Sequence, residues 1–182
     1  MSKFVLIDGH SILNRAFYGV PIFTNSEGLH TNAVFGFLNI MFKIIDSKQP
    51  DYMAVAFDVH QPTFRHEMFK DYKGTRKPMM EELREQVPVI KELLQKMNIT
   101  TVELPGYEAD DVIGTLSKKG EKAGMEVDVI SGDRDLLQLA SDHITICIPK
   151  TKKGQTTVEE YNTEGVMKLY KVTPTEFIDV KA

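Results

Sequence analysis

Cysteine is nearly missing from this chain. Cys147 stands alone inside the apolar run Ile144, Ile146, Ile148, so neither a disulfide framework nor a thiolate zinc site can form within one chain. Packing is the expected role of its thiol. Long hydrophobic runs are missing as well: no stretch approaches the roughly 20 uncharged apolar residues of a membrane span. The N-terminus, MSKFVLIDGH, enters a strand pattern directly, without a cleavable signal, and a cytoplasmic protein is the expectation. Neither Gly-x-Gly-x-x-Gly nor Gly-Lys-Ser/Thr occurs, which sets aside dinucleotide and P-loop chemistry. Internal repeats and low-complexity segments are also lacking.

What is present suits one well-buried core: 182 residues, 42% apolar and 26% charged. Phe4–Ile7, Tyr52–Phe57 and Glu126–Ile130 are short apolar, β-branched-rich runs that end in Asp or in a Ser/Gly-Asp turn, the pattern of buried parallel strands. Ile99–Leu104 and His143–Ile148 add two more. Between them, Leu83, Val87, Ile90, Leu94 and Met97 make one helical stripe. Pro88 either kinks that helix or divides it in two. Thr31–Asp46 is apolar almost all round, with Gly36, Asn39, Lys43 and Asp46 as a narrow polar stripe. The alternation predicts an α/β fold, a doubly wound and mainly parallel sheet flanked by helices, with ligands outside the carboxyl ends of the strands. Lys150–Gly154 reads as a basic hairpin tip leading to a short strand near Thr157.

Seven carboxylates fall where strands end or helices begin: Asp8, Asp58, Glu108, Asp110, Asp111, Asp133 and Asp135. Each alone is explained by capping or by the helix dipole, whose benefit is about 0.3–1 kcal/mol per charge. Together at one sheet edge their repulsion consumes that benefit, and a cation resolves the conflict. Gly9 is expected to let the chain turn sharply after Asp8. In Gly106–Asp111, with a helix starting near Tyr107, Glu108 and Asp111 lie about 60° apart, and Asp110 points about 100° from Asp111. In an extended Ser131–Asp135 turn, Asp133 and Asp135 face the same side and can share an ion. Oxygen-only ligands point to Mg²⁺ or Mn²⁺, and two ions would suit phosphodiester hydrolysis.

Net charge is −4, but from His60 to Lys77 five Lys/Arg face two acids. Here Arg65, Lys70, Lys73, Arg76 and Lys77 alternate with Phe64, Phe69 and Tyr72, a signature of single-stranded nucleic-acid binding. His10 and His66 lie near the acids, and hydrogen bonding or packing is their expected role.

In order and spacing, LIDGH (6–10), AFD (56–58), FRHEMFKDYKGTR (64–76), GYEADD (106–111) and SGDRDLLQL (131–139) resemble the 5′–3′ exonuclease domain of bacterial DNA polymerase I, among the flap-endonuclease-like nucleases with a PIN-like core. The resemblance implies that the seven carboxylates bind metal, with Asp8, Asp58, Glu108 and Asp110 toward one ion and Asp111, Asp133 and Asp135 toward a second. It implies that Arg65, Tyr72, Lys73, Arg76 and Lys77 belong to a helical arch, about 60–82, that grips a 5′ single strand. Lys73 and Arg76 would neutralise the scissile phosphate, and Tyr72 would stack on a base. The implied reaction is metal-dependent hydrolysis of DNA from a 5′ end or at a 5′ flap, by a monomer. Residues 1–172 would form the core domain and 173–182 the opening of a helix–hairpin–helix subdomain. That region and a further acidic cluster of the family do not follow here, so a fragment that binds DNA and metal with little turnover is an alternative. Another Mg²⁺-dependent α/β phosphohydrolase is a third.

Overall fold

Along the first strand, β1 (Lys3–Asp8), Val5 and Ile7 face one apolar layer and Leu6 the opposite one, each at most 1% exposed. A strand buried on both faces needs helices on both sides. The computed structural model describes residues 1–59, 61–74, 78–152 and 155–181, with backbone only for Thr151, Lys152, Gln155 and Lys181. After β1 come α1 (Gly9–Gly19), α2 (Asn32–Lys48), β2 (Tyr52–Ala56), α3 (Phe64–Met68), α4 (Glu81–Arg84), α5 (Gln86–Lys96), β3 (Thr100–Val102) and α6 (Ala109–Lys122). They are followed by β4 (Glu126–Ile130), a 3-10 turn (Arg134–Leu139), β5 (Ile144–Lys152), β6 (Gln155–Tyr161), α7 (Thr163–Tyr170) and α8 (Phe177–Lys181).

The strands form one sheet in the order β3-β2-β1-β4-β5-β6, parallel except for β6, which pairs antiparallel with β5. Asp8 stands opposite Ala56, and Ile7 opposite Ile130, so β1, β2 and β4 end nearly level. From β1 the chain steps outward to β2 and β3, then returns through α6 to the other side of β1 and steps outward through β4 to β5. The carboxyl ends of β1 and β4 therefore flank the switch point of a doubly wound sheet, where a crevice opens. α1, α2 and α5 cover one face, with Phe37, Met41, Ile90 and Leu94 in the core, while α6, α7 and α8 cover the other with Ile113, Val166 and Phe177.

Several elements differ from the sequence expectation for identifiable reasons. Pro88 does divide the helical stripe, but the break falls at Glu85, upstream of it. As the third residue of α5, Pro88 needs no intrahelical donor, whereas one continuous helix would set its ring against the carbonyl of Arg84. On α2, Gly36 is buried rather than part of a polar stripe, because a Cβ there would stand 2.8 Å from the Ala16 Cβ. The exposed side of α2 carries Phe35 and Phe42 instead. β5 runs past its expected end because β6 pairs with it through Lys152. Cys147 is buried, its thiol 3.5 Å from Asp128 Oδ1, and burial pushes its pKa up. Of residues 173–182, expected as the opening of another subdomain, the described ones, 173–181, are tied to this core through Phe177, 2% exposed, while Ile178 and Val180 face outward.

Two buried amides join α1, α2, α4 and α5. Thr31, which precedes α2, makes no side-chain cap. Gln86 Oε1 takes its place, accepting from Ala33 N and Val34 N at 2.8 and 3.1 Å. Gln86 Nε2 donates to Asn32 Oδ1 and Glu82 O, and Asn32 Nδ2 donates to Phe17 O and Val20 O. This junction holds the far end of α1, whose near end begins at Asp8.

Candidate metal and nucleic-acid site

At the carboxyl edge of the sheet a cleft of about 720 Å³ is lined by Asp8, Asp58, Glu108, Asp110 and Asp133, with His10, Ser11, Asn14, Arg15, Tyr18 and Lys73 around them. Five of the seven expected acids thus converge, brought from the ends of β1, β2 and β4 and from the start of α6. Asp8 caps α1 by accepting from Ser11 N at 3.1 Å. Its other oxygen accepts from the buried Ser131 hydroxyl at 2.8 Å. Asp58 reaches across to α6 and accepts from Ala109 N at 2.7 Å. Asp133 caps the 3-10 turn through Asp135 N. Capping and cleft lining are therefore both true of these residues.

Gly9 is the first residue of α1 and makes no unusual turn. Its need for hydrogen at Cα comes from Phe57, whose ring would lie 2.4 Å from an added Cβ. His10 and His66 serve hydrogen bonding: His10 Nδ1 accepts from Asp58 N at 3.1 Å, and His66 Nδ1 accepts from Thr63 N at 3.1 Å.

Charge at the cleft is in conflict. Burial, opposed in part by the bonds from Ser131 and Ser11, raises the Asp8 pKa to about 6, and nearby Asp58 and Asp133 add to the rise. Burial likewise raises Asp110 to about 7, reinforced by Asp8, Asp133, Asp58 and Glu108. A set of oxygen donors held in a buried cleft, where burial first and neighbouring carboxylates second disfavour their charged forms, fits a hard divalent cation. As the side chains stand, no three acidic or imidazole groups among the described residues are close enough to hold one ion together. Of the seven acids expected to form one centre, five line this cleft.

Asp111 and Asp135 do not line it. The helix starts at Ala109, not near Tyr107, and Asp111 turns toward Arg65, bound at 2.7 and 2.8 Å. That contact, opposed by partial burial, leaves its pKa below the ordinary value. Asp135 is exposed because the Asp133–Asp135 segment winds into a 3-10 turn, in which residues two apart point to different sides. The extended turn assumed from sequence would have aligned them.

The basic segment lies against the same edge. Lys73 Nζ is 2.8 Å from Glu108 Oε1, and the Tyr72 hydroxyl is 3.3 Å from Glu108 Oε2. Lys73 adopts a left-handed backbone, φ 58°. The Tyr72 ring meets His66 edge-on, whereas Phe69 is 61% exposed. The described residues of the expected arch, 61–74 and 78–82, comprise the five-residue helix α3, turns through Gly74 and the first residues of α4. Arg76 and Lys77, expected to bind DNA, lie outside the described residues.

Sequence reasoning missed Arg15, Asn14 and Tyr18, which α1 places along the cleft wall. The Arg15 Nε is buried and has no hydrogen-bond partner among the described residues. A lone arginine within the apolar spacing Ile12, Leu13, Ala16, Phe17, about two turns beyond Asp8, was the available signal.

The family model for the 5′–3′ exonuclease N-terminal, resolvase-like domain matches residues 3–171. DNA polymerase I of Bacillus caldotenax is 51% identical over 179 residues, covering 98% of this chain and 20% of the relative. DNA polymerase I of Streptococcus pneumoniae (strain ATCC BAA-255 / R6) is 44% identical over 99% of the chain and 21% of the relative. The chain thus spans about a fifth of the length of these relatives. Among solved structures, T5 5′-exonuclease with bound divalent zinc ions has the same fold, with TM-score 0.72, 20% identity, and coverage of 98% of this chain and 65% of that one. Human GEN1 in complex with Holliday junction DNA has TM-score 0.60 at 13% identity, covering 98% of this chain and 42% of that one. With a family model matched along nearly its whole length and a relative at half identity, the chain belongs to the 5′–3′ exonuclease N-terminal, resolvase-like domain family.

Proposed function

We propose that this chain is the metal-dependent core of a 5′–3′ exonuclease or 5′-flap endonuclease, acting as a monomer in the cytoplasm on DNA with a 5′ single-stranded end. The observation that carries the reading is the convergence of Asp8, Asp58, Glu108, Asp110 and Asp133 at the sheet's switch point, beside a segment of cations and rings. The zinc-bound T5 5′-exonuclease and the Mg²⁺-containing GEN1 product complex share its fold. These five acids would hold Mg²⁺ or Mn²⁺, in one or two sites, and the bound metal would activate water and neutralise charge on the phosphate. Asp8 is pre-oriented by Ser11 and Ser131, which use its rear lone pairs. Lys73 and Arg15 supply cations at the cleft for a phosphate. Phe69 offers an exposed face for a base.

A labelled 5′-flap substrate with Mg²⁺ or Mn²⁺ tests the reading by comparing this chain with Asp133→Asn. Cleavage by the parent and loss of about 100-fold or more in the variant is expected from removing a ligand whose charge the transition state needs. Equal cleavage by both rejects the assignment. The reading as a binding fragment draws on one observation, the engagement of Glu108 by Lys73. Salt-sensitive DNA binding without cleavage would favour it. A general α/β phosphohydrolase gives way to the family match.

A further inference from the structure

We propose that Asp111 is a positioning residue for the basic segment rather than a ligand for an ion. Through Arg65 it fastens α3 to the start of α6, and so holds Tyr72 and Lys73 against Glu108. This deepens the nuclease reading and rests on it for the substrate.

The geometry leaves Asp111 little capacity for anything else. Both of its oxygens accept from the Arg65 guanidinium, at 2.7 and 2.8 Å, and Oδ2 also accepts from Glu108 N at 3.0 Å. Three of roughly four lone-pair sites on the carboxylate are thus committed. Successive residues on a helix are about 100° apart, so placing Asp110 in the cleft turns Asp111 toward its rim.

The segment it holds has few other attachments. α3 is five residues long and buries none of them, far below the length at which a helix holds itself together. Besides the ion pair, Phe64 N donates to Gly106 O at 3.1 Å, and the Phe64 ring meets Tyr107 at 5.8 Å. The Arg65 guanidinium also stacks on Phe64, 4.5 Å from the ring centroid. A forked pair of charge-assisted bonds sets direction as well as distance, and from that foot the chain reaches Tyr72 and Lys73. Arg65, expected to contact DNA, is spent inside the protein. Its removal should act through the placement of Tyr72 and Lys73, which touch Glu108.

The experiment compares the parent chain with Asp111→Asn, Arg65→Gln and the double variant. It measures Mn²⁺ binding by calorimetry, amide hydrogen exchange, and KM and kcat on a 5′-flap. Asparagine keeps an acceptor for Glu108 N and loses the forked pair. Exchange across residues 64–74 should quicken about tenfold or more while β1 and β4 are unchanged, as expected when a local attachment is lost. Mn²⁺ affinity should stay within about threefold, KM should rise more than kcat falls, and the double variant should be no worse than Arg65→Gln, which has already lost the forked pair along with its contacts to Phe64 and Glu108. A tenfold loss of Mn²⁺ affinity in Asp111→Asn, unchanged exchange in 64–74, or additive effects would overturn the proposal. A parent chain that neither binds Mn²⁺ nor cuts the flap would defeat the nuclease reading, while the exchange comparison would still decide whether Asp111 fastens the segment.

Discussion

Asp8 divides its work between two oxygens, one accepting from Ser11 N and the other from the Ser131 hydroxyl, and its surroundings are tightly packed. Gly9 shows how little room there is. A methyl group at its Cα would fall 2.4–2.7 Å from three atoms of the Phe57 ring, and Phe57 is 1% exposed and immediately precedes Asp58. Gly9→Ala should therefore push the ring, and Asp58 with it, away from Asp8. Overpacking of this kind costs about 1–3 kcal/mol, readable as a lower urea midpoint with unchanged slope, and flap cleavage should fall further than stability alone explains. An unaltered midpoint would mean that the ring yields freely. From sequence the glycine was legible as necessary, but for the wrong reason, since a ring 48 residues away leaves no local trace. Asp111 and Asp135 mark the same limit. Their residue type and spacing suit a metal site, and only the distant Arg65 and the winding of the 3-10 turn keep them from lining the cleft.

At the scale of elements, periodicity worked where one helix face meets one layer. Of the stripe, Leu83, Ile90 and Leu94 are buried at 2% exposure or less and Val87 is partly buried, while Met97, at the C-cap of α5, is exposed; the strands at Phe4, Tyr52 and Glu126 lie where β-branched runs place them. What periodicity cannot reveal is which side chain closes a helix from another part of the chain. α2 is preceded by a threonine that makes no cap, and the missing acceptor for Ala33 N arrives from Gln86, itself 0% exposed, 53 residues beyond Ala33. Gln86→Leu keeps the volume and removes four hydrogen bonds, stranding Ala33 N, Val34 N and Asn32 Oδ1. At about 1–3 kcal/mol for a stranded buried group, and with incomplete additivity, the expected loss is at least about 2 kcal/mol. Urea denaturation measures it. Gln86→Glu, which keeps the acceptor for α2 but turns a carboxylate toward Asn32 Oδ1 and Glu82 O, should recover little. If Gln86→Leu unfolds at the parent midpoint, α2 is held by packing alone.

Over the whole molecule, alternation of strand and helix was enough to foresee the crevice, because a doubly wound sheet with Asp at several strand ends can only gather them at its switch point. The number gathered was not foreseeable. The gathering also has a thermodynamic consequence for the metal-free chain. Asp8 and Asp110 have folded-state pKa values of about 6 and about 7, above the ordinary 3.8, so between these limits the folded protein holds protons that the unfolded chain releases. Stability must then be greatest below about pH 4 from this source, and must fall as pH rises through about 7. Asp111, Glu85, Glu121, Glu159 and Glu176 are shifted downward and act in the opposite sense, but their contribution is complete above about pH 5, where the ordinary carboxylate has ionised. His143, raised by Glu126, has the same sign as the acidic pair and is unaffected by a change at the cleft. Asp110→Asn isolates the cleft: in chelator at pH 8 it should be more stable than the parent, and its stability should depend less on pH between 5 and 8. Mn²⁺ should raise the parent's melting temperature in the manner of a ligand bound only to the folded state, by about 2.7 kcal/mol of stabilisation at 100 times its Kd, and should do much less for Asp110→Asn. A variant no more stable than the parent in chelator, with Mn²⁺ stabilising both equally, would show that these acids do not repel one another across a shared cleft, and the convergence on which the nuclease reading stands would lose its electrostatic meaning.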